Sequence, residues 1–158
     1  MNADQEQAKA RFSGLHAELT ERVLSVFYKV YNELGGGFLK GVYHRAMRMA
    51  LLQAGLKTES EVPVPVMFRG KVVGDYRADL VVEGRILLEL KAVAGLDRTH
   101  EGQVLHYLRA TDFEVALLMN FVPKPQFKRF VLENSNKQIR VDPRSSGVST
   151  LAGDAGWV

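Results

Sequence analysis

The chain has 158 residues, 46% hydrophobic and 25% charged, enough to enclose one globular core. It contains no cysteine, which excludes disulfides and thiolate zinc sites, and no apolar run approaches the roughly 18 residues that span a bilayer. A net charge of +3 and a pI near 9.2 permit a polyanionic partner such as nucleic acid without requiring one.

The start, MNADQEQAKARFSG, is polar where a signal peptide would carry an apolar core, so residues 1 to 14 are expected to be a flexible N-terminus of a soluble, cytoplasmic protein. Leu15, Leu19, Val23, Val26, Phe27, Val30, Tyr31 and Leu34 then recur at spacings of three and four, the stripe of an amphipathic helix. Gly35, Gly36 and Gly37 stop it. A second stripe, Leu39, Val42, Tyr43, Ala46, Met47, Ala50 and Leu51, ends near Gly55, so the chain opens as a helical hairpin. From residue 61 the period becomes two, with Val62, Val64, Val66 and Phe68 alternating with Pro63, Pro65 and Met67. The prolines cannot donate ladder hydrogen bonds, which predicts an edge or irregular strand ending in a turn at Arg69-Gly70-Lys71.

Further strands are predicted over 71–82 and 86–93, joined through Glu83-Gly84-Arg85, followed by a helix over 98–110 with Asp97 or Thr99 as N-cap. FEVALLMNF at 113–121 reads as a buried strand, and FKRFVLE at 127–133 as the last. The residues from 134 to 158 lack periodicity and are expected to be a mostly disordered tail, with Trp157 as a possible docking point. One domain over 15–133 is therefore expected: a mixed β-sheet flanked by helices, of α/β or α+β class.

The unusual stretch is YRADLVVEGRILLELK at 76–91, which places Asp79, Glu89 and Lys91 on otherwise apolar strands. Buried charges cost several kcal/mol unless compensated. If Glu83, Gly84 and Arg85 form a three-residue loop, Val82 faces Ile86 and Asp79 falls opposite Glu89, with Arg77 opposite Lys91; a two-residue loop would send Asp79 to the other face. Facing carboxylates repel, and a cation between them, Mg²⁺ or Mn²⁺ for such oxygen ligands, relieves the repulsion. A lysine beside that ion suits metal-assisted phosphodiester hydrolysis. The alternative is a solvated strand face. Gln103 and Tyr107, spaced i, i+4, project from one side of the following helix. There they can hold a water and contact a phosphate or base, or else be an exposed amide and a core aromatic.

These residues, with the helices before them, resemble the GxxExxY family, a branch of the PD-(D/E)XK nuclease superfamily. The resemblance rests on ELGGGFLKGVY at 33–43, EVPVPV at 61–66, GDYRADLVVEG at 74–84, LLELKAV at 87–93 and HEGQVLHYLRAT at 100–111. It implies a Mg²⁺-dependent nuclease acting on nucleic acid, with Asp79 and Glu89 as metal ligands, Lys91 as the catalytic lysine, and Gln103 and Tyr107 as the Q-x-x-x-Y element.

Two positions depart from the family. Lys40 stands where the glutamate between Gly37 and Tyr43 belongs, and Tyr31 where a histidine is usual. Exchanging a carboxylate for an ammonium about 5 Å from a divalent ion, at an effective dielectric of about 20, costs roughly 3 kcal/mol per unit charge for each unit of metal charge. The alternative function is therefore an inactive nuclease fold that binds nucleic acid or a protein partner. Glu33, Glu59 and Glu61 are candidate replacement carboxylates, Glu61 the best placed, while His44, His100 and His106 read as surface or helix residues.

Overall fold

A computed structural model describes residues 14–137; the expectations for the first thirteen residues and for 138–158, Trp157 included, lie outside the described residues. Helix α1 (Ala17–Leu34) buries Leu19, Val23, Leu24, Val26, Phe27 and Val30 and ends at Gly35, whose φ of 74° lies in the left-handed region. Helix α2 (Lys40–Gln53) buries Tyr43, Met47 and Leu51, one residue per turn.

Strand β1 (Thr58–Phe68) precedes β2 (Lys71–Val82), β3 (Ile86–Lys91), helix α3 (Arg98–Ala110), β4 (Val115–Asn120) and β5 (Gln126–Val131). The sheet is five-stranded in the order β1-β2-β3-β4-β5. Only β3 and β4 run parallel; β1 is an edge strand, as Pro63 and Pro65 require. The folded chain runs on through a 3₁₀ turn, Asn134–Asn136, to Lys137, whose Nζ donates to the carbonyls of Thr111 and Phe113.

Both central strands are covered on their two faces, which explains their near-continuous apolar sequences. On one face α1 and α2 pack over Leu80, Val82, Ile86, Leu88, Leu90, Val115, Leu117 and Met119. On the other, Val104, Tyr107 and Leu108 of α3 pack over Leu87, Ala116 and Leu118. Each buried Val, Leu, Ile or Met among them contributes about 1.5–3 kcal/mol on burial. Among the described residues no helix is long and apolar enough to cross a membrane.

The β1-β2 ribbon turns over midway. Leu80 and Val82 belong to the α1/α2 face, whereas Ala78, also even-numbered, packs with Val64 on the α3 face. Alternation along a strand would keep them on one side, so the ribbon rotates between residues 78 and 80. Across the ladder, Ser60 pairs with Leu80 and Val62 with Ala78, and the intervening Glu61 and Asp79 are left out. Glu61 has a φ of 53°, a left-handed conformation that costs a residue with a Cβ roughly 1–2 kcal/mol. Beyond this point the hairpin carries exposed Phe68, Val72, Val73 and Tyr76 and closes at Arg69 and Gly70, both with positive φ.

Candidate metal centre

The β2-β3 connection takes the three-residue form: Val82 pairs with Ile86, Val81 with Leu87 and Leu80 with Leu88. The ladder then stops, so the expected facing pairs, Asp79 with Glu89 and Arg77 with Lys91, do not form as ladder partners. The rotation at Asp79 is the reason. It turns the Asp79 side chain toward β3, where Oδ2 accepts the Leu90 N–H at 2.7 Å, so the carboxylate replaces a β2 carbonyl. Two carboxylates squarely opposed would repel; here one is neutralised in part by a backbone donor.

The other oxygen, Oδ1, lies 2.9 Å from Lys40 Nζ. Lys40 is the first residue of α2, so the helix that buries Tyr43 also aims this lysine at Asp79. Tyr43 fixes the approach, its hydroxyl donating to the Gly35 carbonyl at 2.7 Å and accepting the Phe38 N–H at 3.3 Å. One turn on, His44 Nδ1 is 4.0 Å from the same Oδ1, and its Nε2 shares a 2.8 Å hydrogen bond with Ser60. The sequence reads His44 as a surface or helix residue; it lies on the helix, half-buried against Asp79. Its i, i+4 spacing from Lys40 was the available signal, because both must share a helix face.

Glu89 is 2% exposed. Its Oε1 has no hydrogen-bond partner. Burial pushes its carboxyl up to about 8, helped by hydrogen bonding and charge from Asp79, with Lys40 and Lys91 pulling the other way. Near neutral pH Glu89 therefore holds its proton in large part. Once ionised, Glu89 would keep Oε1 as a buried acceptor with no donor, which is costly, and a divalent ion shared with Asp79 would satisfy it. The two carboxylates fit a hard, oxygen-preferring ion such as Mg²⁺ or Mn²⁺. Among the described residues no group of three or more His, Asp or Glu side chains gathers to hold a metal, so water or substrate would complete the shell.

Beside Glu89, Lys91 Nζ donates to Gln103 Oε1 at 3.1 Å, and Gln103 Nε2 donates to the Tyr107 hydroxyl at 3.0 Å. Burial pushes the Tyr107 phenol up to about 12, reinforced by Glu89 and opposed by Gln103. It stays protonated and neutral. The half-exposed Tyr76 ring lies 6.2 Å from that of Tyr107, an aromatic at the edge of the site that sequence reading passed over. Thus Asp79, Glu89, Lys91, Gln103 and Tyr107 come together.

The remaining candidates divide. Glu61 stands across the ribbon from Asp79 but is exposed, as are Glu33 and Glu59. Tyr31 donates its hydroxyl to the Pro123 carbonyl at 3.0 Å and packs against the core. His100 belongs to the capping box of α3, exchanging hydrogen bonds with Asp97, and His106 is exposed.

No curated protein matches the chain. A solved structure described as "Crystal structure of SSO0001" is 21% identical with a TM-score of 0.45, the similarity covering 72% of this chain and 55% of that one, so this chain spans about half the length of that protein. Residues 17–130 match the model of the PD-(D/E)XK nuclease superfamily.

Proposed function

The chain belongs to the PD-(D/E)XK nuclease superfamily, and we propose that it is a divergent nuclease of the GxxExxY branch, with 15–133 as the catalytic domain. It hydrolyses phosphodiester bonds in DNA or RNA using Mg²⁺ or Mn²⁺ held by Asp79 and Glu89. The observation that supports this best is the buried, unpartnered Oε1 of Glu89 beside Asp79. When bound, such an ion polarises a phosphoryl oxygen and lowers the pKa of a coordinated water.

The chain's own residues do the rest. Lys91 orients the attacking water and balances the charge that builds on the phosphate. Gln103, accepting from Lys91, keeps the ammonium aimed, and Tyr107 holds the Gln103 amide in one orientation. Tyr76 offers a face on which a base can stack.

A second reading, a nuclease fold that binds nucleic acid without cutting it, is favoured by the 2.9 Å contact of Lys40 with Asp79. One experiment separates the two. Labelled single- and double-stranded DNA and RNA are incubated with purified protein and Mg²⁺ or Mn²⁺, beside Asp79→Asn and Lys91→Ala. Metal-dependent cleavage lost in both variants supports the nuclease. Binding without cleavage supports the second reading, and cleavage that survives in Lys91→Ala rejects the mechanism.

A further inference from the structure

Each oxygen of Asp79 has a partner, Leu90 N on Oδ2 and Lys40 Nζ on Oδ1, while Oε1 of the neighbouring Glu89 has none. A divalent ion joining the two carboxylates would meet Lys40 at Oδ1. Ammonium and metal cannot both sit against that oxygen, since like charges at contact repel strongly in a partly buried site. Lys40 must therefore leave before the site can fill.

Its surroundings indicate where it goes. The Lys40 side chain is 43% exposed on a flexible stem, so it can swing outward. His44, whose Nε2 is tied to Ser60, lacks that freedom. Lys40 also opens α2, whose first turn has no acidic residue and whose N-cap, Leu39, provides no side-chain cap. A cation there opposes the helix dipole, whereas an anion would be drawn both to the lysine and to the positive end of that dipole.

We propose that Lys40 is a positioning residue that exchanges Asp79 for a backbone phosphate of the bound nucleic acid, freeing Oδ1 so that nucleic acid and divalent ion bind cooperatively. This rests on the nuclease reading above. The free protein then holds metal poorly, and the site assembles when a strand is in place. Linkage makes the effect reciprocal: whatever factor the strand adds to metal affinity, the metal adds to strand affinity.

Calorimetric titration of Mn²⁺ into the full chain tests this. It is done with protein alone and with protein saturated by a phosphorothioate-linked oligodeoxynucleotide, the oligonucleotide alone serving as blank, and is repeated with Lys40→Met, which keeps the stem and loses the charge. In the native protein the oligonucleotide should raise Mn²⁺ affinity about tenfold or more. Lys40→Met without oligonucleotide should bind Mn²⁺ about as tightly as the native protein does with it, and should gain no more than about threefold on its addition.

An equal oligonucleotide effect in both proteins overturns the exchange. The nuclease reading survives that result if cleavage still requires Mn²⁺ and Lys91. Absence of Mn²⁺ binding in both proteins, with and without oligonucleotide, overturns the exchange and the metal site together.

Discussion

Asn120 grips the backbone of Val93 at both ends: its Oδ1 accepts the Val93 N–H at 3.0 Å, and its Nδ2 donates to the Val93 carbonyl at 2.9 Å. The same Nδ2 donates to the Val122 carbonyl at 2.8 Å. Asn120 is fully buried at the end of β4 and pairs with Lys91 on β3. It thereby fixes the chain just as it leaves the strand that carries Glu89 and Lys91.

Truncating this amide strands several buried polar groups. Asn120→Ala should cost about 3 kcal/mol, since each buried group left unpaired costs about 1–3 kcal/mol and some recover water. Asn120→Asp should cost more at neutral pH, because a carboxylate would face two carbonyl oxygens. Urea denaturation measures both; a loss under about 0.5 kcal/mol for the alanine variant would show that the loop finds other partners.

The helices follow from periodicity and glycines, which act locally; the prolines narrow β1 to an edge or irregular strand, and the β2-β3 connection is one of two loop lengths the sequence leaves open. Leu19, Val23 and Phe27 declare a helix face, and Pro63 and Pro65 an edge or irregular strand, whatever lies across the sheet. The resemblance implies that Lys40 lies beside the site, but its contact with Asp79 itself is not legible, because it joins elements 39 positions apart in the sequence and depends on how α2 crosses the sheet. The rotation at Asp79 was hidden for another reason: Glu61 carries no sign, as a glycine would, that its φ is positive. Asn120 falls inside FEVALLMNF, which reads as a buried strand, and only the return of Val93 toward it reveals its task.

Glu89 should make stability depend on pH with an unusual sign. Its folded-state value of about 8 lies above the ordinary 4.5, so between these values the folded chain binds more protons than the unfolded one. Stability is then fully present below about pH 4.5 and is lost as pH rises through about 8, the reverse of a salt-bridged carboxylate. The loss from this group alone is of order a few kcal/mol. Glu89→Gln, neutral throughout, should remove that part of the slope and exceed the native protein in stability at pH 8.5. Chemical denaturation across the range without metal decides it, and identical slopes for the two proteins would count against a protonated Glu89.

The same proton should appear when metal binds. An ion held by Asp79 and Glu89 requires both ionised, so below the Glu89 value of about 8 Mn²⁺ binding should release close to one proton, and affinity should rise with pH toward that value. Calorimetry at pH 7 in two buffers of different ionisation enthalpy gives the number directly. Binding with no proton release would place the ion elsewhere.

Gln103 stands between Lys91 and Tyr107, touching each through one end of its amide. Gln103→Ala should leave Mn²⁺ affinity nearly unchanged and lower cleavage about 10- to 100-fold, the size of loss seen when hydrogen-bond partners that orient metal ligands are removed. Tyr107→Phe, which keeps the ring among Val104 and Leu108, should cost less. Lys91→Ala should abolish cleavage. Equal losses in the Tyr107 and Lys91 variants would mean that Tyr107 touches substrate itself.

Glu61 tests whether the turned ribbon serves the site or only strains it. The residue is exposed with φ of 53°, so glycine should relieve the backbone by about 1 kcal/mol. Asparagine, which tolerates left-handed geometry, should recover part of that. Neither change removes a contact that shapes Asp79, because Leu90 and Lys40 hold its carboxylate. If the conformation alone matters, Glu61→Gly and Glu61→Asn should be more stable than the native protein and bind Mn²⁺ equally well. If the Glu61 carboxylate replaces the family glutamate displaced by Lys40, both variants should gain stability yet lose metal affinity together. Thermal denaturation paired with Mn²⁺ titration reads the two effects separately. A loss of stability on substitution by glycine would show that Glu61 makes contacts worth more than the strain it carries.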